Sequence, residues 1–469
     1  MGQTDYRRYH IDVKVAPDVA PWPSRFLPKV KKHRLIWHII KEIFHQRGNR
    51  KVILSRPCIY GAYGRLVGGL APRRHSCVGC LRCTTEHPDW VQILRNPDFK
   101  RMGDSYLKAE QIDVIHYEAQ AGGIPVKGAG YRGKFGGVGW DGMWTDMSEI
   151  VRPTRDGIHG REFISTVVDL GEKPPFLKFD EQGSPVGQTP HVFSLPLPIL
   201  FDIPPASVES RLFLTILARA AEEMGTLAVL PVSVINEFQL DGCHIVPLVR
   251  QEEFEMLNSL PFQPKIIELT SEDETFCSEV QSRFPESLMC LRLTFDNQMP
   301  ERLLRSVESG FHVFHLAADY HGRGANGEFV LTLIRKAHQA LVDAKCRNEV
   351  TLLGSGGIVA AEHVPKAIIC GLDAVALDTV LPVALQARLV NECVGRETSQ
   401  FTLHRRVTVI WGIQRVKNLV AAWRDQMLEV LGAMGLREVR RLRGETGRAM
   451  FQKDLEREAF TGITGYGNK

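Results

Sequence analysis

Three cysteines and a histidine lie close together in the first quarter of the chain. They form the pattern C-x2-C-x2-C-x3-H-P, made by Cys77, Cys80, Cys83, His87 and Pro88. Thiolates and imidazoles are ligands of zinc and of iron–sulfur clusters, and three thiols at such short spacing are uncommon by chance. The motif therefore predicts a metal site. The alternative is a turn whose cysteines bind nothing.

The kind of metal is left open by the residues alone. The spacing resembles the run C-x2-C-x2-C-x3-C-P of bacterial ferredoxins, with His87 in place of the fourth cysteine. Three thiolates suffice for a [3Fe–4S] cluster, whereas a [4Fe–4S] cluster needs one more ligand, for which Cys58, His87 or a cysteine of a partner protein are the candidates. Zinc accepts the set of three cysteines and one histidine formed by Cys77, Cys80, Cys83 and His87. We favour iron–sulfur because of the ferredoxin resemblance.

A second candidate site lies between residues 350 and 381, where a glycine-rich turn joins two apolar runs. The runs Val350–Leu353 and Ala374–Leu377 predict buried strands with a helix between them. A strand, a tight turn, a helix and a strand are typical of the end of a (β/α)8 barrel, where the loops often hold a phosphate. The candidate ligand-binding residues are Gly354, Ser355, Gly356, Gly357 and Asp378.

The same stretch resembles a known family. Gly-Gly-Ile at 356–358, the helix after it and Gly-Leu-Asp-Ala-Val at 371–375 resemble the FMN-binding domain of glutamate synthases. The cysteine-rich segment and the stretch from Ser148 to Arg161 are similar to members in which a ferredoxin-type segment precedes the flavin barrel. The resemblance implies a (β/α)8 TIM barrel, FMN at the glycine turn, and an oxidoreductase. The family reaction is ammonia-dependent formation of glutamate from 2-oxoglutarate.

Some positions depart from the family pattern. The family usually has glycine where this chain has Asp378, and a carboxylate there would repel a phosphate dianion unless a cation such as Arg323 or Lys366 intervened. Arg292 stands where the family has a lysine facing the flavin, and the loop from Asp319 to Arg323 resembles the His-Asp-Gly-Gly loop after the sixth strand. The resemblance therefore implies Arg292, Asp319 and His321 as catalytic residues, with Arg292 stabilising the reduced, anionic flavin.

The barrel strands follow from short apolar runs that alternate with helical patterns. Helices are predicted at Val208–Met224, Glu252–Leu260 and later crossovers, and none in the second crossover. With the two strands named above, the eight predicted strands include Leu195–Asp202, Thr226–Val232, His244–Leu248, Lys265–Leu269, Met289–Thr294 and Val313–Ala317.

The chain divides by composition into five segments. The predicted boundaries are an arm at 1–50, an iron–sulfur segment at 51–120, a Gly-rich connector at 121–190, the barrel at 191–399 and a helical tail at 400–469. Helices are predicted in the tail at Val416–Met434 and Leu436–Leu442. The arm contains an amphipathic pattern at Arg34–Gln46, flanked by basic residues. It indicates either a helix that binds a membrane surface or a partner, or a helix packed on its own domain, and we favour the second.

Composition bounds the function. A net charge of +4 over 469 residues indicates no polyanionic partner, and nothing resembles a nucleic-acid module. Ten cysteines without a disulfide pattern suit a reducing cytoplasm, and no transmembrane segment is predicted. We therefore predict a cytoplasmic, iron–sulfur, glutamate synthase-like oxidoreductase subunit in which FMN is the implied flavin and electrons pass between the cluster and the barrel site. The alternative is a flavin-free barrel whose cluster makes it a structural or electron-relay subunit. Either function implies other redox subunits as electron donor or acceptor. The enzyme hypothesis also implies that a glutaminase (amidotransferase) domain and a nucleotide-binding domain come from partner proteins, because neither is recognised here.

Overall fold

The computed structural model describes residues 9–49, 58–63, 70–124, 139–145, 163–172, 178–186 and 192–465. They form two compact units: the smaller contains the described residues between 20 and 114, and the larger contains residues 9–19, 115–124 and the described residues from 139 to 465. The stretch from Ser148 to Arg161 that carries part of the family resemblance lies outside the described residues, as does much of the Gly-rich connector. No helix of the described residues is long and apolar enough to cross a membrane.

The smaller unit is built on one antiparallel strand pair. Phe26 pairs with Arg95 and Val30 with Val91. Asn96 begins the short helix after the second strand, because its side chain accepts a hydrogen bond from the Asp98 amide at 3.1 Å. The elements are β1 (Phe26–Val30), α1 (Lys32–His45), α2 (Arg82–Glu86), β2 (Val91–Arg95) and α3 (Pro97–Lys100). Helix α4 (Ala109–Ala121) begins in this unit, and its residues from Ile115 onward belong to the larger unit.

Helix α1 corrects one expectation from the sequence. Its apolar residues were expected to pack on their own domain, yet Leu35 is its only buried residue. Ile36, Ile40 and Phe44 are exposed instead, as are the other apolar residues of the helix. The helix attaches to its unit through a different side, so its amphipathic pattern does not reflect burial within this chain.

Short strands precede the barrel in the larger unit. The strand that ends at Gly171 pairs antiparallel with the strand that begins at Val192. The elements are β3 (Met143–Thr145), β4 (Val168–Gly171), β5 (Lys178–Phe179), β6 (Pro185–Val186) and β7 (Val192–Leu195).

Eight parallel strands then close into a barrel, as the sequence predicts. Each strand pairs with the next, and the ring closes where Leu377 of the last strand pairs with Phe201 of the first. Nearly every residue of these strands is buried, as expected for strands packed on both faces. The strands are β8 (Ile199–Phe201), β9 (Ala228–Pro231), β10 (Ile245–Val249), β11 (Ile266–Leu269), β12 (Leu288–Thr294), β13 (Val313–Ala317), β14 (Thr351–Ser355) and β15 (Ala374–Leu377).

Helices surround the barrel. The second crossover contains a helix that the sequence analysis missed, because its seven residues are too few to show a period. In the third crossover the predicted helix is a run of 3-10 helix at Gln251–Ser259. The helices are α5 (Arg211–Met224), α6 (Val232–Phe238), α7 (Glu274–Arg283), α8 (Met299–Glu308), α9 (Val330–Asp343), α10 (His363–Cys370) and α11 (Val380–Ala384).

A long helix of 25 residues, α12 (Val409–Ala433), packs on α5. Gly412 permits this packing, because a side chain there would collide with Ile216. Arg415 is fully buried and donates hydrogen bonds to backbone carbonyls and to Asp18 at 3.0 Å.

The tail differs from the prediction after α12. The expected second helix is only a 3-10 turn at Val439–Leu442. Gly435, with a left-handed φ of 71°, follows the end of α12. The remaining elements are β16 (Arg388–Leu389), β17 (Phe401–Thr402), β18 (Ala449–Phe451) and α13 (Gln452–Phe460).

Candidate functional site

The glycine turn lies at the carboxyl end of β14, the edge of a barrel where active sites form. Gly356 and Gly357 have φ angles of 91° and 73°, in the left-handed region that favours glycine. A side chain at Gly356 would also collide with Ala318 and with the carbonyl oxygen of Asp319. The turn is therefore closely packed, and its backbone conformation requires these glycines.

Asp378 follows β15 and lies beside this turn. Its side chain is buried, and one carboxylate oxygen accepts a hydrogen bond from the Thr379 hydroxyl at 2.9 Å. Burial raises the pKa of Asp378 to about 7, although the backbone amides of Thr379 and Gly356 favour the charged form. Oδ2 has no hydrogen-bond partner, and no cation of the described residues forms an ion pair with this carboxylate. A buried, incompletely paired carboxyl group thus faces the turn where a phosphate is expected.

Trp140 covers the other side of the turn. Its indole nitrogen donates to the carbonyl oxygen of Gly357 at 3.0 Å, and its ring stacks on His363 with centroids 5.5 Å apart. Lys366, one of the cations expected to neutralise Asp378, donates to the carbonyl oxygen of Trp140 at 2.7 Å. The other, Arg323, donates to the carbonyl oxygen of Gly327 at 2.8 Å.

The barrel interior holds a charged cluster centred on Arg292. The guanidinium binds both carboxylate oxygens of Asp202, each at 2.8 Å, and binds Glu268 at 2.7 Å. Burial opposes ionisation of all three groups, but their mutual attraction outweighs it: the pKa values of both carboxyls are lowered and that of Arg292 is raised. Arg292 is therefore held by two carboxylates and is not a free cation.

His315 completes this cluster. Its Nδ1 lies 3.0 Å and 3.1 Å from the two oxygens of Glu268. Arg292 Nη1 also lies 3.2 Å from His315 Nδ1, but the two protons of this Arg292 nitrogen are already donated to Asp202 and Glu268. Nδ1 must therefore carry a proton that it donates to Glu268. Nε2 of His315 is buried without a hydrogen-bond partner, 3.8 Å from Asp202 Oδ2.

The loop with Asp319 and His321 closes on itself. The Asp319 carboxylate accepts the Arg323 amide at 2.7 Å, and the Asp319 amide donates to the Arg323 carbonyl at 2.9 Å. His321 Nε2 lies 3.9 Å from Glu392 Oε2. In this geometry Asp319 shapes the loop.

In the smaller unit, four thiols come together. Burial raises the pKa of Cys77, and the neighbouring thiols of Cys83, Cys58 and Cys80 raise it further. Burial likewise raises the pKa of Cys83, with added effects of Cys80 and Cys58. The Tyr63 hydroxyl lies 3.9 Å from the Cys83 sulfur and favours its thiolate. Cys58 thus joins the predicted triplet in space, although it is 19 positions away from Cys77 (77 − 58).

The backbone between these cysteines is shaped for the thiolates. Gly79 and Leu81 have left-handed φ angles of 71° and 61°. The Gly79 amide donates to the Cys77 sulfur and lowers its pKa, against the effect of burial. A side chain at Gly79 would collide with the ring of Phe26, so only glycine fits there.

His87 has a different environment. Its ring stacks on Trp90 with centroids 4.9 Å apart and meets the edge of His38 at 4.6 Å. Its backbone amide donates to the Cys83 carbonyl at 2.9 Å, at the C-terminal end of helix α2. The imidazole is thus held between aromatic rings, which gives it a packing role that the thiols do not have.

Comparison with known proteins agrees with these features. A family model described as a conserved region in glutamate synthase matches residues 317–437. An archaeal-type glutamate synthase (NADPH) of Dehalococcoides mccartyi is 22% identical over 434 residues, 79% of this chain and 86% of that protein. An archaeal glutamate synthase (NADPH) of Archaeoglobus fulgidus is 22% identical over 92% of this chain and 98% of that protein. The chain is glutamate synthase-like.

Local similarity to the family is higher. An archaeal glutamate synthase (NADPH) of Methanocaldococcus jannaschii is 35% identical over 133 residues, 26% of each chain. Among solved structures, a mandelate oxidase mutant with an FMN adduct has a TM-score of 0.42 and 13% identity, over 78% of this chain and 98% of that chain.

The glutamate synthase-like barrel fits FMN only in part. The left-handed glycine turn matches what a phosphate requires, since its backbone can approach an anion closely. The carboxyl of Asp378 beside it does not match, and Arg292 is already paired with Asp202 and Glu268.

Sequence reasoning missed Glu268 and His315. Each is a polar residue inside an otherwise apolar barrel strand, in Ile-Ile-Glu-Leu and Val-Phe-His-Leu-Ala. A charged residue at an inward position of a barrel strand is a signal that could have identified them, because such a group is buried and needs a partner. Their partner Arg292 was named, but as a flavin-facing cation.

Proposed function

We propose that this glutamate synthase-like chain is an oxidoreductase subunit that binds one iron–sulfur cluster through Cys58, Cys77, Cys80 and Cys83. The observation that carries the proposal is the convergence of these four thiols in the smaller unit. A cluster with four thiolates is a one-electron carrier whose potential depends on burial and on hydrogen bonds to sulfur. The subunit exchanges these electrons with other redox proteins, as the names of its relatives, glutamate synthases (NADPH), suggest.

The four-thiol environment favours Cys58 over His87 as the fourth ligand. Cys58 perturbs the pKa of both Cys77 and Cys83. His87 contacts Trp90 and His38 through ring packing. We therefore propose four cysteine ligands and no histidine ligand, for a [4Fe–4S] cluster.

The spacing of the motif supports a cluster over zinc. C-x2-C-x2-C-x3-H-P resembles the C-x2-C-x2-C-x3-C-P run of bacterial ferredoxins, in which the first three thiolates bind one iron–sulfur cluster.

The second candidate function adds FMN at the barrel mouth. It is favoured by the glycine turn and by the family relationship, which makes FMN the cofactor implied for this barrel. When bound, FMN would supply exchange between one-electron and two-electron steps. The residues that would hold its phosphate are Gly356 and Gly357, and Asp378 weakens the binding as long as its carboxyl is ionised.

Metal and sulfide analysis of the full chain, purified without air, tests the first proposal. We expect about four iron and four acid-labile sulfide per chain, and a reduced cluster that gives an electron paramagnetic resonance signal. Cys58→Ser should lose the cluster as completely as Cys80→Ser, whereas His87→Ala should retain it. Cys243→Ser, which changes an exposed cysteine of the other unit, is the matched control.

Two results would overturn the proposal. Stoichiometric zinc without iron would show that the thiols form a zinc site. Loss of the cluster in His87→Ala, with retention in Cys58→Ser, would give the fourth position to the histidine. Flavin content, measured on the same samples by its absorbance, decides the second candidate separately.

A further inference from the structure

The surface of helix α1 is apolar on the side that faces away from its unit. Six apolar side chains of this helix are between 38% and 80% exposed: Ile36, Trp37, Ile39, Ile40, Ile43 and Phe44. At 100° per residue they occupy one continuous arc of the helix. Isolated exposed apolar residues are common, but six on one helical face mark an interaction site.

The helix is held by its opposite side. Leu35 is buried, the ring of His38 contacts those of His87 and Trp90 at 4.6 Å and 5.7 Å, and Arg34 donates to the Asp89 carbonyl at 3.1 Å. These three residues of α1 lie outside the apolar arc. The exposed arc is therefore not needed to attach the helix to the smaller unit.

Cations surround the arc. The segment from Lys29 to Arg47 has a single acidic residue, Glu42, and six exposed cations. Lys41 lies at the edge of the arc, with its ammonium nitrogen 5.8 Å from the centre of the Trp37 ring. The cations are Lys29, Lys31, Lys32, Arg34, Lys41 and Arg47.

We propose that α1 binds the surface of bilayers that contain anionic phospholipids. The combination of an apolar arc with a lysine-rich border is what inserts a helix into the headgroup region, where cations meet lipid phosphates and carboxylates. A tryptophan beside a lysine at the border is typical of that interface. Protein interfaces are depleted in lysine, which makes a protein partner the weaker fit.

The helix lies in the plane of the membrane. Its 14 residues span about 21 Å at 1.5 Å per residue, less than the roughly 30 Å of a hydrocarbon core. The apolar side chains would reach the upper acyl chains while the opposite side stays attached to the smaller unit. Binding is then reversible and sensitive to salt.

Vesicle co-sedimentation of the full chain tests this proposal. We expect binding to vesicles of phosphatidylcholine with about 30% phosphatidylserine at low salt, and weaker binding at high salt or to phosphatidylcholine alone. The double variant Ile40→Asp, Phe44→Asp should lower the affinity by about tenfold or more, because two exposed apolar contacts are lost. Lys32→Glu, Lys41→Glu should weaken binding to the anionic vesicles specifically.

Matched controls separate this effect from misfolding. Ile410→Asp changes an apolar residue that is 84% exposed in the other unit, and it should leave vesicle binding unchanged. Iron content and melting temperature of all variants should equal those of the wild type, since the changed side chains are exposed.

Absence of binding to the anionic vesicles at low salt would overturn the proposal, as would binding that Ile40→Asp, Phe44→Asp does not reduce. Self-association or binding of a redox partner that this double variant abolishes, with no vesicle binding, would assign the arc to a protein interface instead.

Discussion

The carboxyl group of Asp378 lies buried beside the backbone amide of Gly356, at the barrel edge where the family relationship implies a phosphate. Two unit negative charges about 4 Å apart repel each other by roughly 4 kcal/mol at an effective dielectric constant of about 20, and a phosphate dianion carries two such charges. The repulsion by an ionised Asp378 therefore corresponds to about a thousandfold in affinity or more. An ionised Asp378 is thus expected to disfavour a phosphate at this turn.

The first prediction concerns FMN. Wild-type protein should bind FMN weakly, and Asp378→Gly or Asp378→Asn should bind it more tightly, because the negative charge is removed. Wild-type affinity should fall as the pH rises through about 7, the pKa at which Asp378 ionises. Fluorescence titration with FMN measures this effect, and riboflavin, which lacks the phosphate, should show no such pH dependence. Tight wild-type binding that Asp378→Gly weakens would show that the carboxyl is a ligand.

A second prediction links Asp378 to stability. Its pKa is raised from 3.8 to about 7 in the folded chain, so the folded state disfavours its ionised form. The contribution of Asp378 to the free energy of unfolding is therefore fully present at low pH. It is lost as the pH rises from about 4 to about 7, and the loss is roughly 4 kcal/mol at most. Asp378→Asn should therefore melt at a higher temperature than the wild type at pH 8, and the difference should shrink toward pH 4. An equal difference at both pH values would contradict this assignment.

A third prediction concerns the Arg292 cluster. Arg292→Leu would leave Asp202 and Glu268 buried without their cation, and we expect a loss of about 3–5 kcal/mol in unfolding free energy. Adding Asp202→Asn and Glu268→Gln should recover much of that loss, because no buried charge then lacks a partner. Urea denaturation of the three proteins measures this. A triple variant no more stable than Arg292→Leu would show that the cluster acts through shape and not through charge.

The fourth prediction concerns the cysteine loop. Gly79→Ala should lose most of its bound iron, because the new methyl group would collide with the ring of Phe26. Gly61→Ala is the matched control: Gly61 also has a left-handed φ, of 74°, but a side chain there meets nothing within 4 Å. It should cost only about 1 kcal/mol of backbone strain and keep its iron.

A double variant sharpens this comparison. Combining Phe26→Ala with Gly79→Ala should restore part of the iron lost in the single variant, since the colliding ring is gone. Equal iron loss in Gly61→Ala and Gly79→Ala would mean that backbone strain, and not the contact with Phe26, decides whether the loop forms.

The local sequence determined the barrel. Eight apolar runs mark eight strands because a strand buried on both faces has few polar residues, and the glycine turn after β14 is marked because only glycine adopts its φ angles. Short helices such as α6 escaped prediction, because seven residues contain too few turns to show a period.

The cysteine triplet was likewise evident from the sequence, because a motif with fixed spacing is a local property. That Cys58 lies with the triplet, while His87 packs between Trp90 and His38, is a result of folding. Several candidate fourth ligands had the right chemistry, and nothing in their spacing decided among them.

Only the tertiary structure decided the environment of Arg292 and the direction in which α1 faces. Closing the barrel brings Asp202 to Arg292 across 90 positions and Glu268 to His315 across 47, and pairs so distant in sequence leave no periodic pattern. The amphipathic pattern of α1 predicts the size of its apolar arc but not whether the arc is buried. In the folded chain Leu35 and His38 attach the opposite side of the helix, so the apolar side chains of the arc remain exposed.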